Sequence, residues 1–212
     1  MKNSRPTPWV LRKDGFYPCG INAIMEWNNE VPCNMWRLIL LLVFLAAGCE
    51  LAKGPAMPGI DEGNIALPVE GFDSSGKKIS LEQLRGKVVL LSFWASWCKP
   101  CIALIPHEAA LAKKLEGQPF TILGVNGDRN PDAQSRAEEK LRMTWPSISD
   151  ASGFLSSKWE IDSIPVMYVV DQKGIIRFSS KKVIDRIQSF EELSRRVEKE
   201  VETLLKEGKK PG

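Results

Sequence analysis

The run Lys87-Val88-Val89-Leu90-Leu91-Ser92-Phe93-Trp94 narrows the fold more than any other stretch of this sequence. A strand with one wet face alternates apolar and polar residues. This run does not alternate, so it is expected at the centre of a sheet, buried on both faces. A helix of about 18 residues follows from Lys99, with Ile102, Ile105, Ala109, Ala112 and Leu115 at helical spacing. A doubly covered strand passing straight into a helix requires layered α/β packing.

The flanking segments agree. Ile65-Ala66-Leu67-Pro68-Val69 and Lys78-Ile79 around Asp73-Ser74-Ser75-Gly76 read as a hairpin. Ser80-Leu81-Glu82-Gln83 is a capping-box start for one helical turn that stops at Gly86. Pro119-Phe120-Thr121-Ile122-Leu123-Gly124-Val125 is the next strand, and Asn130-Pro131 opens another helix. Pro165-Val166-Met167-Tyr168-Val169-Val170 and Gly174-Ile175-Ile176-Arg177-Phe178 pair around Asp171-Gln172-Lys173-Gly174. Ser189-Phe190-Glu191-Glu192 starts a last helix with Phe190, Leu193, Val197, Val201 and Leu204 on one face. The expectation is an α/β fold over residues 64–207, followed by a tail over 208–212. Its central mixed sheet is flanked by helices and carries an N-terminal β-hairpin extension. Trp94, Trp145 and Trp159 are assigned to the core.

Upstream, Arg37 precedes an apolar run, Leu38 to Ala47, and then Gly48-Cys49. A membrane-spanning helix needs roughly 20 apolar residues, and a secretory hydrophobic region about 7–15. Residues 1–48 are therefore expected to be a leader, with 49–63 a Gly/Pro-rich tether. Leu45-Ala46-Ala47-Gly48-Cys49 resembles a bacterial lipoprotein signal, which implies cleavage before Cys49 and lipidation of its sulfur. An uncleaved signal anchor and an ordinary signal peptide are the competing readings. Residues 1–34 form a long polar front, and Met35-Trp36-Arg37 would make a normal start, so translation is expected to begin at Met35. Taking the five basic and three acidic residues of 1–48 from totals of 29 and 26 leaves 24 and 23, about +1. That balance gives no basic surplus for nucleic acid.

Trp97-Cys98-Lys99-Pro100-Cys101 falls where the buried strand gives way to the long helix. A helix N-terminus offers unpaired N–H groups and about half a positive charge, which favours thiolate over thiol. A cysteine there can fall from a pKa of about 8.5 to about 3.5–7.5. Cys98 is expected to be the exposed, first-turn nucleophile. Cys101, three residues on, would resolve the mixed disulfide. Lys99 adds positive charge, and Pro100 fixes the turn. Trp97, flat and apolar, would shield the thiolate and touch substrate, unless it simply fills the core. His107, the single histidine, is assigned to the helix surface. With only Cys49 and His107 left as further ligands in the mature chain, a zinc site is not expected. A disulfide serving structure alone would gain little by closing so short a loop.

Phe93-Trp94-Ala95-Ser96-Trp97-Cys98-Lys99-Pro100-Cys101, with Pro106 beyond it, resembles a thioredoxin active site. The likeness continues through Trp159-Glu160-Ile161-Asp162-Ser163-Ile164-Pro165. The front hairpin, Gly124-Val125-Asn126-Gly127-Asp128, Thr144-Trp145-Pro146 and Val170-Asp171-Gln172-Lys173-Gly174 are similar to the exported TlpA/ResA-like branch, within the AhpC/TSA-redoxin superfamily. The resemblance implies a thioredoxin-like fold with a cis-proline at Pro165, which with Ile164 lies against the dithiol and guides substrate backbone. Spacing alone would not imply cis, since about 5–6% of X–Pro bonds adopt it. Two departures stand out. Thioredoxins usually bury a carboxylate where this chain has Ser92. Many ResA-like proteins carry a Glu where it has Leu104. A water or a sequence-distant group would then have to handle the Cys101 proton.

The function implied is a membrane-anchored, extracytoplasmic thiol-disulfide oxidoreductase using a redox-active disulfide and no other cofactor. It would reduce protein substrates, apocytochrome c among them, with electrons from a membrane thiol carrier. Two other classes compete. A peroxiredoxin-like thiol peroxidase would need a Thr-x-x-Cys context that Ser96-Trp97-Cys98 does not supply. A redox-inactive binding module would keep the fold without turnover. Mass spectrometry of the intact mature N-terminus is expected to find a lipidated Cys49 as the first residue; a mature chain retaining Cys19 would refute both the signal and the Met35 start.

Overall fold

The computed structural model describes residues 56–183 and 189–208. In chain order the elements are β1 (Pro58–Gly59), β2 (Ile65–Ala66), β3 (Glu70–Phe72), β4 (Lys78–Ser80), a 3₁₀ turn (Glu82–Leu84) and β5 (Val88–Trp94). Then come α1 (Lys99–Lys114), β6 (Phe120–Asn126), α2 (Pro131–Leu141), β7 (Ser147–Ser149) and α3 (Phe154–Lys158). The chain continues through β8 (Val166–Val170), β9 (Ile176–Ser179), a 3₁₀ turn (Ser180–Lys182) and α4 (Phe190–Glu207).

The main sheet has five strands in the order β7-β6-β5-β8-β9. Strand β5 takes the centre, parallel to β6 and antiparallel to β8, and all seven of its residues are buried. Its lack of alternation is the direct result of being covered twice. Side chains of period two separate the layers. Val88, Leu90 and Trp94 pack with Cys101, Leu104 and Ile105 of α1 and Leu193, Val197 and Val201 of α4. Val89, Leu91 and Phe93 point the other way, toward Trp159, Tyr168 and Ile176.

The edges depart from the sequence expectations. The front hairpin is β3 with β4, so its first arm starts at Glu70. Ile65–Ala66 pairs instead with Pro58–Gly59, in parallel, and Ala66 also bonds back to the Gly174 carbonyl. Within the tether expected over 49–63, strand pairing already starts at Pro58, and Gly59 permits it because a Cβ there would stand 2.3 Å from Asn64 Nδ2. Gly71 does the same for the hairpin, since a Cβ there would meet Ile148 of β7 at 2.4 Å. Helix α1 is 16 residues long rather than 18, ending at Lys114. Strand β7 and helix α3 had no sequence signal of their own. Each is too short to express a period, and α3 is held by Asp150, whose carboxylate accepts from the Leu155 and Ser156 N–H groups. The capping box at Ser80 forms as expected, Ser80 N–H donating to Gln83 Oε1 and Gln83 N–H to Ser80 Oγ. On α4, Phe190 is 37% exposed and Leu205 joins the buried stripe in its place.

Trp159 is fully buried, 4.9 Å from the Tyr168 ring and 5.9 Å from Phe93. Trp159→Ala is expected to cost about 3–5 kcal/mol in urea denaturation, as for other large-to-small core changes.

Candidate active site

Cys98 and Cys101 are joined in a disulfide, with Cα atoms 5.3 Å apart. Cys98 is the N-cap of α1, in extended backbone conformation, and its Sγ accepts the Cys101 N–H at 3.2 Å. An N-cap side chain usually satisfies an orphan amide with oxygen; here sulfur does so. The same contact directs the positive end of the helix at the sulfur that would carry charge after reduction. Pro100 sits in the first turn, where its missing N–H costs nothing.

Contrary to the expectation of an exposed, first-turn nucleophile, Cys98 is the cap itself and only 4% exposed. The loop before β8 covers it: the Ile164 carbonyl oxygen lies 3.7 Å from Cys98 Sγ, and the Ile164–Pro165 peptide is cis. Cys101 is buried deeper, at 2%. Lys99 and Pro100 are exposed, and Trp97 is 66% exposed, so Trp97 does not fill the core. Beside it runs an apolar groove of about 410 Å³ lined by Trp97, Gly127, Ser156, Ile161 and Ile164.

Asp128, which the sequence marks only as the end of the Gly124–Asp128 motif, holds the turn before the dithiol. It is 3% exposed and accepts from Ser96 N–H at 2.9 Å, Ser96 Oγ at 2.8 Å and Asn126 Nδ2 at 2.9 Å. The Trp94 indole N–H donates to Ser147 Oγ at 2.9 Å, tying the end of β5 to β7. Five side chains from three segments thus fix the approach to Cys98.

Ser92 and Leu104, the positions where the resemblance leads one to look for an acid, are both buried. The carboxylate is elsewhere. Glu108, on α1, is 5% exposed and accepts from Ser92 Oγ at 2.7 Å. Burial pushes its pKa up to about 7, against the lowering effect of the Ser92 hydrogen bond. Sequence reasoning passed over it, although Glu108 falls seven residues after Cys101, on the same helical face. His107 is half-buried rather than a free surface residue, and lines a cleft next to Glu108. Among the described residues no group of three or more His, Cys, Asp or Glu could hold a metal. Cys49, with its expected lipid, lies outside the described residues, as do Cys19 and Cys33.

The AhpC/TSA family model matches residues 63–179. The chain is 34% identical to thioredoxin-like protein YneN of Bacillus subtilis over 122 residues, covering 56% of this chain and 71% of that one. It is 27% identical to the thiol-disulfide oxidoreductase ResA of Bacillus cereus over 157 residues, covering 72% of this chain and 86% of that one. Among solved structures, the thioredoxin domain of a thiol-disulfide oxidoreductase from Bacteroides vulgatus superposes with a TM-score of 0.58 at 25% identity, over 68% of this chain and 99% of that one.

A carboxyl whose folded pKa exceeds its unfolded value holds its proton more tightly when folded. Its stabilising contribution is therefore complete below about pH 4.5 and lost as pH rises through about 7. The difference in unfolding free energy between the oxidised wild type and Glu108→Gln is expected to change across that window. The wild type should lose on the order of 3 kcal/mol relative to the variant, measured by urea denaturation at a series of pH values.

Proposed function

We propose that this chain, which belongs to the AhpC/TSA family and is a thiol-disulfide oxidoreductase, works as an extracytoplasmic protein-disulfide reductase tethered to a membrane through Cys49. The observation that carries the assignment of roles is the Cys101 N–H directed at Cys98 Sγ. Upon reduction that sulfur becomes the better stabilised anion of the two, and therefore the attacking one. Cys98 thiolate attacks one sulfur of a substrate disulfide, forming a mixed disulfide and releasing the first substrate thiolate. Cys101 then loses its proton and attacks Cys98 Sγ, which restores the internal disulfide and releases the second substrate thiolate. A membrane thiol carrier returns two electrons.

Substrate enters along the groove beside Trp97. Its exposed ring and Ile164 line the same apolar groove, and the Ile164 carbonyl oxygen lies 3.7 Å from Cys98 Sγ, so a polypeptide laid along the groove reaches the dithiol. Ile164 and Pro165 orient that polypeptide, with Lys99 and Pro100 at its rim. Apocytochrome c in its oxidised form belongs to this substrate class. The short apolar stretch before Cys49 supports the tether, and no helix among the described residues is long and apolar enough to cross a membrane.

Cys101→Ala is expected to accumulate a mixed disulfide on Cys98 when the full chain is expressed with its partners, and Cys98→Ser to trap none. In an insulin-reduction assay Cys98→Ser should fall to the uncatalysed background. Turnover that survives in Cys98→Ser would refute the assigned roles, and a peroxide-driven cycle would favour the peroxidase class. The direction is read from the midpoint potential: a value near the oxidising end of the roughly −270 to −120 mV spanned by thioredoxin-fold proteins would overturn the reductase assignment.

A further inference from the structure

The proton chemistry of the dithiol has a counterpart two helical turns away. Glu108 is buried on the face of α1 that also carries Cys101, Leu104 and Ile105, about 10.5 Å along the axis from Cys101 at 1.5 Å per residue. Its hydrogen-bond partner, Ser92, lies on β5 in register with Met167 of β8, and nothing charged approaches from either strand. On its other side a cleft of about 140 Å³ between α1 and α4 opens toward solvent, lined by His107, Lys114, Ser194 and Glu198. Lys114 is engaged at 2.6 Å with both Glu198 and Glu202 of α4, so its charge is answered there rather than by Glu108. His107 lines the cleft as well, and Glu191 at the start of α4 is within electrostatic reach of His107.

We propose that Glu108, held by Ser92, is the redox-linked proton site of this enzyme. It takes up a proton through the α1–α4 cleft when the disulfide is reduced and gives it back when the disulfide re-forms. The balance is simple. A dithiol reductant supplies two electrons, the Cys98–Cys101 bond breaks, Cys98 is left as thiolate, and Cys101 takes one proton as thiol. The protein has then gained one negative charge in an apolar layer, and the Glu108 carboxylate offsets it by binding a second proton from solvent. Oxidation by a substrate disulfide reverses each change. At about 10–15 Å, the axial rise to Glu108 from Cys101 and from Cys98, and an effective dielectric of about 20, the new thiolate raises the Glu108 proton affinity about tenfold, a shift of about one pH unit. Glu108 acts through the field at the sulfurs and through Ser92; it is a positioning residue and touches no substrate. The cleft and the substrate groove are lined by different residues, so proton exchange continues while polypeptide occupies the groove.

The inference rests on the cysteine pair cycling, in either direction. The test is the midpoint potential of the full chain against a thiol–disulfide buffer from pH 5.5 to 9. The wild type should follow two protons per two electrons in a window that opens near pH 7, where oxidised Glu108 titrates, and closes about one unit higher. Outside that window one proton should suffice wherever Cys98 is thiolate. Glu108→Gln should lose the window. Ser92→Ala should move it to higher pH, because the hydrogen bond it removes favours the carboxylate. His107→Asn should leave it in place, which excludes the histidine as its source. A window that survives in Glu108→Gln would overturn the proposal. If that variant does not fold, carbon-13 NMR of glutamate side-chain carboxyls in the wild type, with Ser92→Ala to identify the signal, decides instead. Equal pKa values in the oxidised and reduced protein would refute the linkage. A failure of the oxidoreductase assignment would look different, since no reversible couple would be measured at all.

Discussion

A sulfur rather than an oxygen caps the helix that follows the central strand, and much of the molecule serves that contact. Cys98 Sγ can receive the Cys101 N–H only if β5 delivers the chain at the right height and the turn between them keeps its shape. The first condition is met by a strand buried on both faces and paired on both edges. The second is met by Asp128, which takes both the N–H and the hydroxyl of Ser96. Placing the cap in this way makes the amide dipole a fixed feature of the site, so reduction requires little rearrangement to stabilise the new anion.

Burial then sets the terms of the chemistry. Both sulfurs are almost out of solvent, and the layer behind them is apolar. In such a layer charge is expensive, and electrostatic influence carries further than it does in water. This is why one carboxyl can matter at two turns' distance, and why its hydrogen bond to Ser92 matters as well. At the groove beside Trp97 the arrangement is reversed. Trp97 stands in solvent next to apolar surface bounded by Ile164.

The pair Ser92 and Glu108 separates two kinds of inference. Reading position by position against the thioredoxin resemblance finds an acid missing at Ser92 and again at Leu104. The buried carboxyl of this chain stands instead on a helix, at Glu108, where it accepts a hydrogen bond from Ser92. Helical periodicity alone would have placed Glu108 on the Cys101 face. What the sequence did not carry was the cross-layer partner, because a contact between residues 16 apart depends on how the helix lies on the sheet. The exposure assigned to Cys98 went wrong for a related reason. A first position ahead of a helix is open when viewed locally, and it was the distant Ile164–Pro165 loop that closed it.

Local pattern was sufficient for the central strand, the long helix after it, the capping box at Ser80, the Ser189 N-cap, and the Cys98–Cys101 pair at a helix start. Each of these is written in residues a few positions apart, where period and hydrogen-bonding chemistry act directly. The short pieces β7 and α3, the parallel pairing of Pro58–Gly59 with Ile65–Ala66, and the Asp128 brace were decided by tertiary packing. Their stability comes from partners far along the chain, and a segment of two to five residues is too short to carry a period that would reveal it.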